Sequence, residues 1–205
     1  RVRMARLEIN VGNLHHRVDA LEAALVHYRR AARLFGRTGP ALDRARVDHN
    51  IANILTNLGR RLEAEALYRR SREALQAAGE PLLVAQVNYG LACLRFLNGE
   101  YAAAIAELEE VRPALASGGA GPLLALADLD LAEALLAIRL YPEALTLARS
   151  AARWFAAHGV PSDRARCDLL RGIALARLGR AGHAVAALDA AERVCRRVAI
   201  IRDGA

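Results

Sequence analysis

The chain has 205 residues, 54% of them hydrophobic but only 4% aromatic, with 45 alanines and a net charge of +7 carried on arginine alone, as there is no lysine. So much alanine suits close-packed helices, because alanine is the best helix former and lets backbones approach. No apolar run approaches the roughly 18 residues of a membrane span, and the charged start RVRMARLEIN lacks the apolar core of a signal peptide, so a cytoplasmic protein with no membrane partner is expected.

Five repeats follow one another. In repeat one (1–40), residues 1 to about 16 read as a helix with two stripes, an apolar one of Leu7, Val11, Leu14 and Val18 and a polar one of Arg6, Asn10, Asn13 and Arg17. After a turn near Asp19, a second helix runs to about Phe35 with Ala24, Tyr28 and Ala31 inward, and stops at Gly36–Pro40. Repeat two (41–80) copies this plan: ARVDHNIAN (45–53) matches ARLEINVGN (5–13), Leu58-Gly59 makes the inner turn, and Tyr-Arg-Arg returns at 68–70. Repeat three (81–120) opens with Pro81 at a helix start, where its missing N–H is harmless, and turns at Asn98-Gly99 before the alanine-rich run to Leu108. Repeat four (121–160) turns at Arg139–Pro142 and ends at His158-Gly159. Repeat five (161–200) opens with the N-cap signal Pro161-Ser162-Asp163, turns at Gly179 and carries its second helix to about Val198.

Counting on by one repeat length at a time links three columns of small residues. They are Ala24, Ala64, Ala104, Ala144 and Ala184; Ala5, Ala45, Ala85, Ala125 and Ala165; and Gly12, Ala52, Ala92, Ala132 and Gly172. Small residues held in phase without an insertion mean close helix–helix approach at the same place in every repeat. Ala205 falls in phase with Ala5, so 201–205 is expected to start a truncated sixth repeat, the whole being a single repeat domain. Val198–Ile201 is apolar where a terminal repeat would carry a polar cap, which points to a fragment of a longer protein or to a last face covered by another, C-terminal domain.

These columns resemble the tetratricopeptide repeat (TPR) family. Its series of small residue, turn glycine, aromatic, alanine and leucine is matched by Ala92, Gly99, Tyr101, Ala104 and Leu108, and more loosely by Ala52, Gly59, Ala64, Tyr68 and Ser71 and by Gly172, Gly179, Ala184, Leu188 and Ala191. Asp19 and Arg139 replace the turn glycine in repeats one and four. The 40-residue period exceeds the usual 34 and resembles arrays of kinesin light chains and of bacterial multidomain proteins that join TPRs to CHAT protease domains, STAND ATPases or transcriptional activators. Residues 131–155 are especially similar to repeats preceding CHAT domains. The resemblance implies an all-α fold: a TPR α-solenoid of five antiparallel helix pairs in a right-handed superhelix, with first helices lining a concave groove that binds a peptide or partner protein.

By this register the polar stripe of each first helix faces the groove. It carries Arg6, Asn10, Asn13 and Arg17, then Arg46, His49, Asn50, Asn53 and Asn57. Asparagine offers both donor and acceptor, so a row of five can pair with an extended peptide backbone; the competing role is to cap or bridge helices. Later repeats place Tyr89 and Phe96, then Leu129, Asp130 and Glu133, on the same surface, an apolar and acidic stretch expected to seat a ligand's hydrophobic anchor beside a basic residue.

An enzyme needs a constellation, and none assembles. Cys93 with His49 lacks an orienting third group and an oxyanion donor. His15 and His16 are adjacent and face different sides of a helix. Three cysteines without C-x-x-C spacing argue against a disulfide framework or zinc, and Asp128, Asp130 and Glu133 read as solvated or ligand-facing carboxylates. No catalytic residue, metal or cofactor is expected. Charge by repeat runs +5, +1, −2, −1 and +4, and this acidic centre interrupts the continuous basic stripe of a nucleic-acid binder. The expectation is a non-enzymatic interaction scaffold, the regulatory or sensor arm of a larger bacterial protein. The alternatives are the TPR portion of a CHAT-type protease or STAND ATPase whose catalytic domain lies outside this chain, and nucleic-acid binding through the arginine-rich end repeats.

Overall fold

Two helices and two short turns fill each repeat. The computed structural model describes residues 1–36 and 39–203. Its helices are α1 (Val2–Arg17), α2 (Leu21–Phe35), α3 (Ala41–Asn57), α4 (Arg61–Ala77), α5 (Pro81–Leu97), α6 (Tyr101–Ser117), α7 (Gly121–Ala137), α8 (Tyr141–Ala157), α9 (Pro161–Arg177) and α10 (Ala181–Asp203). No strand occurs among the described residues, and the fold is all-α, an array of helix hairpins. The helices from α3 to α9 are all of one length, and the turns between them are equally uniform. The backbone therefore repeats with every helix, whereas the sequence repeats with every second one.

The middle residue of each short turn sets this spacing. Gly59, Gly99 and Gly179 have φ of 74°, 80° and 73°, in the left-handed region that glycine occupies without a Cβ clash. The residue after each donates its N–H five residues back, as Arg60 does to the Leu55 carbonyl at 2.8 Å, which closes a Schellman cap. Asp19 (φ 59°) and Arg139 (φ 67°) adopt the same conformation without being glycine, and Leu140 still donates to the Leu135 carbonyl at 2.9 Å.

The chain forms two compact halves, Arg1–Leu94 and Arg95–Ala205. In both, the small columns are the contact surface. All five alanines of the Ala24 series and all five of the Ala5 series are at most 4% exposed. A Cβ added at Gly12 would lie 2.7 Å from the Tyr28 ring, and one at Gly90 2.6 Å from the Tyr68 ring, so each tyrosine occupies the space a side chain would need. In the C-terminal half, Ala125, Leu129, Ala132, Ala148, Ala151 and Phe155 form the core between α7, α8 and α9.

A further column went unread in the sequence because it is polar: Glu8, Asp48, Asn88, Asp128 and Asp168. Glu8 meets His27 at 2.6 Å. Both carboxylate oxygens of Asp48 accept from Arg70, at 2.6 and 2.7 Å, and Asp128 accepts from Arg112 at 2.6 Å. Each of these ties a first helix to a neighbouring second helix.

Two expectations, on the start of α9 and the end of α10, are corrected. The apolar stripe of α1 is largely exposed: Leu7, Leu14 and Val18 are 55%, 62% and 73% exposed, while α1 buries Ala5 and Gly12. The residues in phase with Leu7 and Leu14 in repeat two, Val47 and Ile54, are buried, since α3 also packs against α2, on a side where α1 has no such neighbour. At repeat five the N-cap is Val160, with Ser162 and Asp163 already in the first turn of α9. Finally, α10 continues past Val198 to Asp203, so residues 201–203 extend that helix. Arg37 and Thr38 of the repeat-one stop, the apolar side chains of 198–201, and Gly204 and Ala205 of the expected sixth repeat lie outside the described residues.

The turn geometry carries a testable consequence. A left-handed non-glycine residue costs about 1–2 kcal/mol, and glycine returns roughly 0.5–1 kcal/mol of that through its larger unfolded-state freedom. Arg139→Gly is therefore expected to raise the unfolding free energy by up to about 1 kcal/mol in urea denaturation; a loss of stability would show that the arginine makes a compensating contact.

Candidate functional site

Helical and array periodicity act together on the first helices of the N-terminal half. Positions three or four apart share one helix face, and positions one repeat apart continue that face along the array. The result is one cavity of about 650 Å³. Helix α1 contributes Arg6, Ile9, Asn10 and Asn13; α3 contributes Asp43, Arg46, His49 and Asn50; α5 contributes Leu83 and Gln86. Arg6, Asn10, Asn13, Arg46, His49 and Asn50, all singled out in the sequence, thus meet. Ile9, Asp43, Leu83 and Gln86 were missed, although Gln86 stands in the same column as Arg6 and Arg46 and was legible from the period.

The charges of this cavity are unequal partners. The Arg6 guanidinium donates to Asp43 Oδ2 through Nη2 at 2.9 Å and Nε at 3.3 Å, although Arg6 is 63% exposed. Exposed pairs of this kind contribute at most about 1 kcal/mol. Arg46 has no carboxylate partner among the described residues, so the cavity offers one cation that is not internally neutralised. His49 lies against Tyr68, ring centroids 5.9 Å apart, and burial pushes its pKa down to about 4. At neutral pH it is an uncharged imidazole with one donor and one acceptor.

The asparagines divide into two kinds. Tyr28 Oη donates to Asn13 Oδ1 at 2.7 Å, and Tyr68 Oη donates to Asn53 Oδ1 at 2.6 Å. These two amides tie a first helix to its second helix, and burial raises both tyrosines, Tyr28 to about 12, so both phenols stay protonated donors. Asn10 and Asn50 line the cavity and have no such partner among the described residues. Asn53, Asn57 and Arg17 do not line the cavity.

The C-terminal half departs from expectation. Leu129 is fully buried in the core with Ala125, Ala132 and Phe155, so it cannot touch a ligand. Asp130 and Glu133 do not wait for a ligand's basic residue. Arg166 of α9 reaches them at 3.4 and 3.2 Å and so supplies that cation from within the chain. Phe96 packs its ring on Tyr101 with centroids 5.4 Å apart, and Tyr89 is half-buried on α5. Spacing could not foresee the Arg166 contact, because it joins distant stretches of the chain through the packing of α9 beside α7. Among the described residues no cluster of three or more His, Cys, Asp or Glu side chains is placed to hold a metal ion, and no helix is long and apolar enough to cross a membrane.

Comparison with known proteins bears on the fold. Residues 43–117 match the family model of the tetratricopeptide repeat. No curated protein sequence matches the chain. Among solved structures, a Rap protein complexed with competence and sporulation factor is similar at a TM-score of 0.82 with 13% identity, over 94% of this chain and 54% of that one. The nearly identical TPR-like repeats of a putative kinesin light chain from Podosopora anserina are similar at 0.68 with 16% identity, covering 94% of this chain and 95% of that one. A signal transduction ATPase with numerous domains from Pyrococcus horikoshii, which carries a tetratricopeptide repeat sensor, is similar at 0.78 with 11% identity, over 96% of this chain and 30% of that one. At these identities the likeness is one of fold.

Two measurements test the site's chemistry. Tyr68→Phe removes the bond to Asn53 and is expected to cost about 1 kcal/mol of stability; an unchanged midpoint in urea would show that the bond contributes nothing. For His49, the folded pKa of about 4 lies below the ordinary 6.5, so the unfolded chain takes up the proton first. Its contribution is complete above pH 6.5 and is withdrawn as pH falls from there toward 4. His49→Gln is expected to flatten the loss of stability across that window, and equal slopes in the two proteins would refute the assignment.

Proposed function

We propose that this chain, which has the fold of a tetratricopeptide repeat array and matches that family's model over 43–117, is a non-enzymatic scaffold whose α1–α3–α5 cavity binds an extended peptide segment of a partner. The observation that carries this reading is the convergence in one cavity of about 650 Å³ of Asn10, Asn50 and Arg46, none of them tied to another side chain among the described residues. Asn10 and Asn50 stand one repeat apart and each offers a donor and an acceptor to a peptide backbone. Arg46 takes a side-chain carboxylate of the ligand, while Ile9 and Leu83 supply an apolar wall. The ligand is therefore an extended segment with an acidic residue. Asp130 and Glu133, expected to meet a ligand's basic residue, share Arg166 with Asp163, and one guanidinium offsets only part of their charge.

The similarity to a Rap protein in complex with competence and sporulation factor supports a peptide or protein as the kind of partner. A role as the sensor arm of a larger regulatory protein is supported by the likeness to the STAND protein with its repeat sensor, of which this chain matches 30%.

The test is a peptide selected from a random display library against the whole chain. Each hydrogen bond contributes roughly 0.5–1.5 kcal/mol net, so the Asn10→Ala/Asn50→Ala double variant is expected to weaken that peptide by about 5- to 150-fold. Arg46→Gln should weaken it further and reduce the salt dependence. Unchanged affinity in both variants would remove the cavity as the binding site.

A further inference from the structure

The C-terminal half carries a second cavity of different chemistry, about 440 Å³, between α8 and α9. Thr146, Arg149 and Arg153 line it from α8, and Arg164 and Arg171 from α9. Four guanidiniums therefore share one small space. Asp168 is the one carboxylate paired with any of them: it accepts from Arg171 Nη1 at 2.5 Å and lies 3.6 Å from Arg164 Nε, and at 2% exposure it is held beneath the surface. Among the described residues Arg149 and Arg153 have no carboxylate or hydrogen-bond partner. Arg171 Nε is buried with no acceptor, a cost that native structures normally relieve with a ligand, ion or water.

The array supplies its own control for whether packing requires these arginines. One repeat earlier, at the equivalent places on α6 and α7, stand Glu109, Pro113, Leu124 and Leu131 in place of Arg149, Arg153, Arg164 and Arg171. Leu131 is 1% exposed there, so an aliphatic side chain serves the same helix contact. Arg149 and Arg153 thus add positive charge where the preceding repeat has none, while Arg164 and Arg171 pair with the buried Asp168, whose counterpart Asp128 takes its arginine, Arg112, from α6 instead. Like charges gathered against one counter-charge repel, and repulsion of this kind is relieved by a bound anion.

We propose that the α8–α9 cleft binds a phosphate monoester carried on a partner protein, a phosphoserine or phosphothreonine side chain. A phosphoryl group brings close to two negative charges and three acceptor oxygens, which match the excess of guanidiniums over Asp168. Arginine forks bind such oxygens in pairs. At about 30 Å³ per water molecule the cavity holds roughly fifteen waters, more than one free phosphate ion fills, and this leaves room for the side chain and flanking backbone that bear the group. The site is independent of the α1–α3–α5 cavity, which lies in the other half and draws on amides and a single unpaired cation.

The experiment is an NMR titration of the whole chain with an alanine-flanked phosphoserine peptide, its unphosphorylated serine twin, inorganic phosphate and random duplex DNA, at constant ionic strength. Hydrogen bonds to charged groups imply at least a tenfold preference for the phosphopeptide over its twin, with the largest shifts on α8 and α9. Arg149→Gln/Arg153→Gln should lower that affinity about tenfold or more without lowering the thermal midpoint, because both side chains are exposed and unpaired among the described residues and their removal relieves like-charge repulsion. Arg164→Gln, which leaves Asp168 its shorter contact to Arg171, should weaken the phosphopeptide in the same direction. Equal binding of the two peptides, or unchanged affinity in both variants, would overturn the site. Inorganic phosphate bound as tightly as the phosphopeptide, or duplex DNA bound more tightly, would overturn the side-chain source in favour of a free anion or a nucleic-acid backbone.

Discussion

Everything in this molecule depends on how closely one helix can approach the next. The columns through Ala5, Gly12 and Ala24 leave room for little more than a Cβ, and where the column holds glycine the neighbouring ring of Tyr28 occupies even that space. Interiors packed this densely do not tolerate an added methylene without strain. Close approach goes with the single length of helices α3 to α9 and the common geometry of the turns, because a shift of one residue would rotate the small face away from its partner by about 100°, given 3.6 residues per turn. The equal helix lengths and the left-handed turn residues are the backbone side of that requirement.

Once the small faces are committed to packing, the rest of each helix is free to differ. The tyrosines of α2 and α4 fill the space against glycine and reach the first helix with their hydroxyls, which fixes Asn13 and Asn53 in structural bonds. The neighbouring positions, Asn10, Arg46 and Asn50, are left without internal partners and converge on one cavity. The polar column of Asp48 and Asp128 does similar work: its carboxylates pair with arginines of adjacent helices and so orient side chains that would otherwise be solvated. Among the described residues, paired and unpaired polar side chains therefore alternate along the first helices, a few positions apart.

The two cavities also differ in how they are charged. In the N-terminal half Asp43 neutralises Arg6, and His49, uncharged at neutral pH, adds no charge to the single unpaired Arg46. In the C-terminal half, four arginines line one cleft, two of them paired with Asp168, where the preceding repeat has aliphatic, proline and acidic residues at the same places. A repeat array permits this because each repeat contacts only its neighbours, so one cleft can change chemistry while the helix packing is retained.

The repeat period, the helix and turn positions and the small columns were all legible in the sequence, since they follow from local propensity and strict periodicity. So was much of the N-terminal cavity, from Arg6 and Asn10 to His49 and Asn50, because a first-helix stripe that recurs in every repeat must form a surface. What periodicity could not supply was the partner of each side chain. Leu129 and Leu169 occupy equivalent positions, yet one is buried and the other exposed. Arg166 stands beside Asp130 and Glu133 although it belongs to another helix, and Leu7, Leu14 and Val18, an apolar stripe in the sequence, are exposed. Burial and ion pairing are properties of two surfaces meeting, and a single helix pattern describes only one of them. The sequence by itself determined the repeating backbone; the tertiary structure decided which polar groups were consumed in holding it together and which remained available to a ligand.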